Sequence, residues 1–174
     1  METNNTVTQA EKDALESKIQ EHLDTFYQRW QNTKGASMKS ILMDVSITTL
    51  KERIAVCLGK YHQQVCNGGH VQWVDNGYAR DTLYYIEEYC LKGIGLAEKL
   101  GKTKEVEIYR AIRDNIEYVE LVGGGSDRDS YEEDTYYDYD FSDIDDRYYE
   151  FSEHDIFKAI ELLLDNSEEL KYKG

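Results

Sequence analysis

The chain has 174 residues, with 35 Asp and Glu against 20 Lys and Arg, for a formal net charge of −15. A sequence pI near 4.6 argues against direct binding of nucleic acid, since phosphate affinity comes from Lys and Arg, and an apolar content of 40% gives one domain enough material for a core. Three Cys argue against a disulfide framework, and the absence of Pro fits a mainly helical chain.

The N-terminal METNNTVTQAEKDALESK is polar throughout. No window approaches the roughly 18 apolar residues of a membrane span, so a cytoplasmic protein is expected. Over 1–35, Leu15, Ile19, Leu23, Phe26 and Trp30 recur at helical spacing, which predicts an amphipathic helix from Thr8 to Gln31. Residues 36–122 read as a helical core. Its first element spans Ile41 to Cys66, with Thr49 and Glu52 spaced as a capping box and Leu50, Ile54, Cys57, Leu58, Tyr61 and Val65 on one side. Asn67, Gly68 and Gly69 stop it. A short piece from His70 to Asp75, carrying Trp73, ends at Asn76 and Gly77, residue types that tolerate left-handed backbone.

The next helix opens at Arg80 or Asp81, with Leu83, Ile86, Cys90, Ile94, Ala97 and Leu100 as its stripe, and Gly101 closes it. Thr103 to Val122 forms the second arm of an antiparallel hairpin. Residues 123–126, Gly-Gly-Gly-Ser, read as a flexible linker. An acidic, Tyr-rich segment occupies 127–151, and 152–174 holds a last helix, capped by Ser152 with Asp155, and a tail. The alternation in YYDYDF, 136–141, admits a strand. The expected fold is all-α: a single-domain bundle of about five to six helices.

No catalytic or metal-ligating residues and no cofactor are assigned. His62, Cys66 and His70 lie at intervals of four, yet Gly68 and Gly69 interrupt the helix and no fourth ligand has a natural spacing. Cys66 is expected to pack inside and the histidines to be partly exposed. Asp138, Asp140 and Ser142 resemble the opening of a calcium loop, but Asp143 and Tyr149 stand where Gly and a bidentate Glu are required. Neither a nucleophile elbow nor a phosphate loop is present.

Charge is the informative feature. Between Asp127 and Asp155 there are thirteen Asp and Glu against two Arg, together with six of the fifteen Tyr. A solubilising tail needs charge without aromatics, whereas this mixture can dock on a core and still present carboxylates. Asp129, Glu132, Glu133, Asp134, Asp138, Asp140, Asp143, Asp145 and Asp146 are the candidate contact set for a basic DNA-binding protein, with Tyr136 and Tyr139 as anchors. Arg147, Tyr148 and Tyr149 are expected to fold the segment back onto the core. Two other readings stay open: an immunity protein or antitoxin that neutralises a toxin enzyme, and a helical domain with a merely solubilising loop.

The stretch YHQQVCNGGHVQWVDNGYARDTLYYIEEYCLKGIGLAEKLGK carries Asn67, Gly68 and Gly69, then Trp73, then Asn76 and Gly77, with Ile94 and Gly95 further on. DIDDRYYEFSEHDIFKAIELLLDN follows it as an acidic turn with paired aromatics before a last helix. Both resemble the domain family of DNA mimic protein nineteen, small acidic bacterial proteins. The inserted SDRDSYEEDTYYDYD block departs from that pattern. The resemblance implies an all-helical fold, a homodimer, and action as a DNA mimic that binds a transcription factor and relieves its control of a promoter. It assigns Asn67, Gly68, Gly69, Trp73, Asn76 and Gly77 a structural part.

Overall fold

Four of the helices begin where a capping side chain, Thr8, Ser37, Thr49 or Ser152, accepts from a free amide. The computed structural model describes residues 6–123 and 140–170. α1 (Gln9–Asn32) starts from Thr8, whose hydroxyl accepts from the Glu11 amide while the Glu11 carboxylate accepts from the Thr8 amide. Its buried stripe is Leu15, Ile19, Leu23 and Phe26, as the spacing predicts.

The expected helix from Ile41 is divided. α2 (Met38–Met43) stops because the Asp44 carboxylate accepts from the Ser46 amide at 3.0 Å, and the Thr48 hydroxyl donates to the Ile41 carbonyl at 2.6 Å. These local bonds offer the backbone an alternative to the helical ladder. Helix resumes at the Thr49 and Glu52 capping box as α3 (Leu50–Ile54), passes through one π-helical turn, Ala55–Gly59, and continues as α4 (Lys60–Asp75). The five residues of the wide turn are all buried, and Gly59 lets α1 approach closely. A Cβ there would lie 3.3 Å from Ile19 Cγ2.

Within α4 the backbone leaves helical angles at Gly68 (φ −160°, ψ 21°) and Gly69 (φ 74°, ψ −176°), then re-enters at His70. This is the break expected at Asn67-Gly-Gly. Asn76 and the left-handed Gly77 end α4, and α5 (Tyr78–Lys99) opens directly from Gly77, earlier than the periodicity suggests.

α5 and α6 (Thr103–Gly123) form the predicted antiparallel hairpin. At its turn, with Gly101 at φ 69°, the Lys102 amide donates to the Ala97 carbonyl at 2.8 Å and the Gly101 amide to Glu98 at 3.2 Å. This double closure is the Schellman pattern. The two helices meet where Gly93 faces Tyr109: a Cβ at Gly93 would stand 2.8 Å from the ring. That ring cannot retreat, because it is buried and its hydroxyl donates to the Ala159 carbonyl of α8 (Glu153–Asp165). Gly93→Ala is therefore expected to cost about 1–3 kcal/mol by overpacking. Gly95→Ala, on the open side of the same helix with nothing within 4 Å, should be neutral or gain roughly 0.5–1 kcal/mol. Denaturant midpoints of the two variants measure the contrast.

α7 (Ser142–Tyr149) and α8 complete an all-α, single-domain helical bundle. α1 packs across the π turn and α8, α6 also packs on α8, and α7 lies against α4 and α6. Among the described residues there is no strand, and no helix is long and apolar enough to cross a membrane. Residues 136–139 of the admitted strand lie outside the described residues, and Phe141 is the N-cap of α7.

Candidate partner-binding surface

The acidic helix α7 is held by its apolar side. Ile144 and Tyr148, one turn apart, are each 1% exposed, and Phe141 is buried just ahead of them. The Tyr148 ring meets Tyr61 edge-on, with centroids 5.5 Å apart, and its hydroxyl shares a 2.7 Å hydrogen bond with His62 Nδ1. The Tyr149 hydroxyl donates to the Val65 carbonyl at 2.6 Å. Tyr148 and Tyr149 thus attach the segment to the core, whereas Arg147 turns to its own helix and donates from Nε to the Asp143 carbonyl.

Asp145 joins α7 to the kink in α4. Its Oδ1 accepts from the His70 backbone amide at 2.8 Å and from His70 Nδ1 at 2.5 Å. With that proton on Nδ1, the other ring nitrogen accepts from the Tyr61 hydroxyl at 2.6 Å, and Asn115 Nδ2 donates to the same hydroxyl at 3.5 Å. The carboxylate therefore caps the renewed helix at His70, where free amides and the helix dipole favour an anion. Gly69 makes this approach possible, since a Cβ there would be 2.5 Å from Asp145 Oδ2.

The opposite side of α7 is carboxylate. Asp143, Asp146 and Glu150 are exposed, and Asp140 precedes them at the same three- to four-residue step. Asp140 accepts from the Ser142 hydroxyl and, at 2.9 Å, from its amide; these bonds hold its carboxyl below the usual range. Residues three apart on a helix rise about 4.5 Å. Phosphates on one DNA strand rise about 3.4 Å per nucleotide, so the row has a comparable linear charge density. Asp143 and Asp145 lie in the first turn and Arg147 in the last, the order that suits the helix dipole.

Sequence reasoning missed a second set of acids. Asp114, Glu117 and Glu120 are exposed on α6, and the same helix carries Tyr118, whose hydroxyl donates to the Asp140 carbonyl at 3.5 Å and whose ring lies edge-on to Phe141. Their three-residue step, opposite the buried Ile112, Ile116 and Val119, was the available signal. Of the candidate contact residues, Asp140, Asp143 and Asp146 point outward and Asp145 is engaged with His70. Asp129, Glu132, Glu133, Asp134, Tyr136, Asp138 and Tyr139 lie outside the described residues. The expected linker begins one residue inside α6, which includes Gly123.

The expectation for the histidines and Cys66 is reversed. His62 and His70 are 3% and 0% exposed, while Cys66 is exposed. Each imidazole finds hydrogen-bond partners, Tyr148 for His62 and the half-buried Asp145 with Tyr61 for His70, so burial leaves neither unsatisfied. Burial also pushes His62 down to about 4 and, together with Glu153, raises the Cys66 thiol to about 11.

Residues 48–166, from just before α3 to the end of α8, match the family described as DMP19-like protein. The chain belongs to the DMP19-like protein family. The match contains the kinked α4, the hairpin, and both partners of the Asp145–His70 bond. Trp73, Gly68, Gly69, Asn76 and Gly77 all fall within this DMP19-like span, and α1 and α2 lie before it. Neither the curated proteins nor the solved structures gave a match.

Proposed function

We propose that this DMP19-like protein is a DNA mimic: a non-enzymatic, cytoplasmic homodimer whose carboxylates occupy the DNA-binding surface of a basic protein. The observation that carries this reading is the outward row of Asp143 and Asp146 on α7, with Asp140 just ahead of the helix and Glu150 at its C-cap, on an element whose other side is fixed to the core. Charge on a rigid scaffold can match the spacing of one cleft, while a loose acidic chain supplies only sign and field. Family membership fits the same role. The acids of 127–139 add to the field that draws a cationic partner in. The partner class is a transcription factor, nuclease or defence component that grips phosphates with Lys, Arg and helix N-termini.

Competition tests the proposal. A basic DNA-binding protein captured at low salt should be released by high salt and displaced by duplex DNA. Changing Asp143→Asn, Asp146→Asn and Glu150→Gln together should weaken its affinity by roughly 10–100-fold, about 1–3 kcal/mol, with the helical circular dichroism unchanged. Capture that duplex DNA does not reverse, or a triple variant that binds equally well, rules the mimic out.

A further inference from the structure

We propose that His62, Cys66 and Glu153 form a binding site for a single zinc ion, separate from the acidic row and independent of the mimic reading. The three ligand atoms lie within 4.8 Å of one another. His62 Nε2 is 3.8 Å from Glu153 Oε2, and Cys66 Sγ is 3.7 Å from both imidazole nitrogens. In a tetrahedral site, zinc distances of about 2.0–2.3 Å place ligands roughly 3.3–3.6 Å apart. The His62–Glu153 and His62–Cys66 pairs are slightly wider than this and the whole set lies within 4.8 Å, so the side chains must close in on an ion. Cys66 Sγ sits over the ring, since it is equidistant from both nitrogens, so it must rotate about its Cα–Cβ bond toward Nε2. Its exposed position leaves room for that rotation.

The fold supplies what a ligand set needs. His62 and Cys66 stand one turn apart on α4, and Glu153 is the first residue of α8, with a 60% exposed side chain that is free to adjust. The Tyr148 hydroxyl engages Nδ1 of His62, which fixes the ring and leaves Nε2 for a metal. A cleft of about 210 Å³ reaches the three residues past Glu16, Gln20 and Asn67 and has room for a water as fourth ligand. Thiolate with imidazole selects zinc over magnesium or calcium. His70, the third ligand that spacing alone would name, is turned away against Asp145. An ion at this position would tie α4 to the start of α8.

Cobalt(II) provides the test, because its spectrum reports thiolate ligation. The full chain should bind one equivalent with visible d–d bands and a near-ultraviolet thiolate-to-cobalt charge-transfer band, and one equivalent of zinc should erase both. Cys57 and Cys90 are buried, so a thiolate band in the folded protein reports Cys66. Cys66→Ser should abolish that band, and Glu153→Gln should weaken zinc binding at least tenfold by calorimetry. Both residues are exposed, so the fold should survive, which circular dichroism verifies. The site is overturned if no thiolate band forms, if Cys66→Ser leaves the spectrum unchanged, or if ions bind only weakly and in multiples, as scattered carboxylates would bind them.

Discussion

Replacing Gly69 with alanine is expected to destabilise the protein by about 4 kcal/mol, from two sources at one position. Its backbone, at φ 74° and ψ −176°, occupies a region open essentially to glycine alone, and forcing another residue into it costs about 1–3 kcal/mol. The new Cβ would also lie 2.5 Å from Asp145 Oδ2 and drive that carboxylate off the buried imidazole. A displaced hydrogen bond to a charged group adds about 1.5–3 kcal/mol. For a chain of this length the melting temperature should fall by roughly 8–16 °C. Asp145→Ala removes the clash but leaves the backbone strain, so the double variant should lose less than the two single losses added together. Additive losses, or a melting temperature within about 2 °C of the parent, would show that the kink and α7 are not coupled here.

Tyr148→Ala should cost a similar amount, about 3–5 kcal/mol, the usual range for truncating a buried large aromatic. The ring is fully buried among Tyr61, His62 and His70, and its hydroxyl holds His62. Every carboxylate of α7 survives the change, so charge is constant while the attachment of the row is lost. Partner affinity, measured below the variant's melting temperature, is therefore expected to fall with net charge still at −15. Asp143→Asn with Asp146→Asn should do the opposite. Stability should move by less than about 0.5 kcal/mol at these exposed sites, while affinity and its salt dependence both fall. If Tyr148→Ala binds as tightly as the parent, with the same salt dependence, fixed geometry is unnecessary and charge density alone recruits the partner.

The helices were legible because apolar residues recur at helical spacing in α1, α5, α6 and α8, and because Thr49, Ser152, Gly77 and Gly101 are strong boundary residues. The break between α2 and α3 was also written locally, in Asp44 and Ser46, but the apolar run across it hid the turn. α7 was harder, since its only periodic signal is Ile144 and Tyr148 among acids and aromatics. The role of Asp145 had no local mark at all. It is one of several acids in DIDD, and what sets it apart is a histidine 75 residues away. For the same reason the histidines were expected nearer the surface: polar residues enter a core only with partners, and here those partners come from distant helices. Glu153 escaped notice beside His62 and Cys66 because helix spacing cannot reveal a ligand contributed by another helix.

Asp140 and Phe141, just ahead of α7, are both held against Tyr118 of α6. The start of α7 thus rests on α6. Charge carried at other positions can therefore change while Tyr118 still fixes where Asp140 stands and where α7 begins.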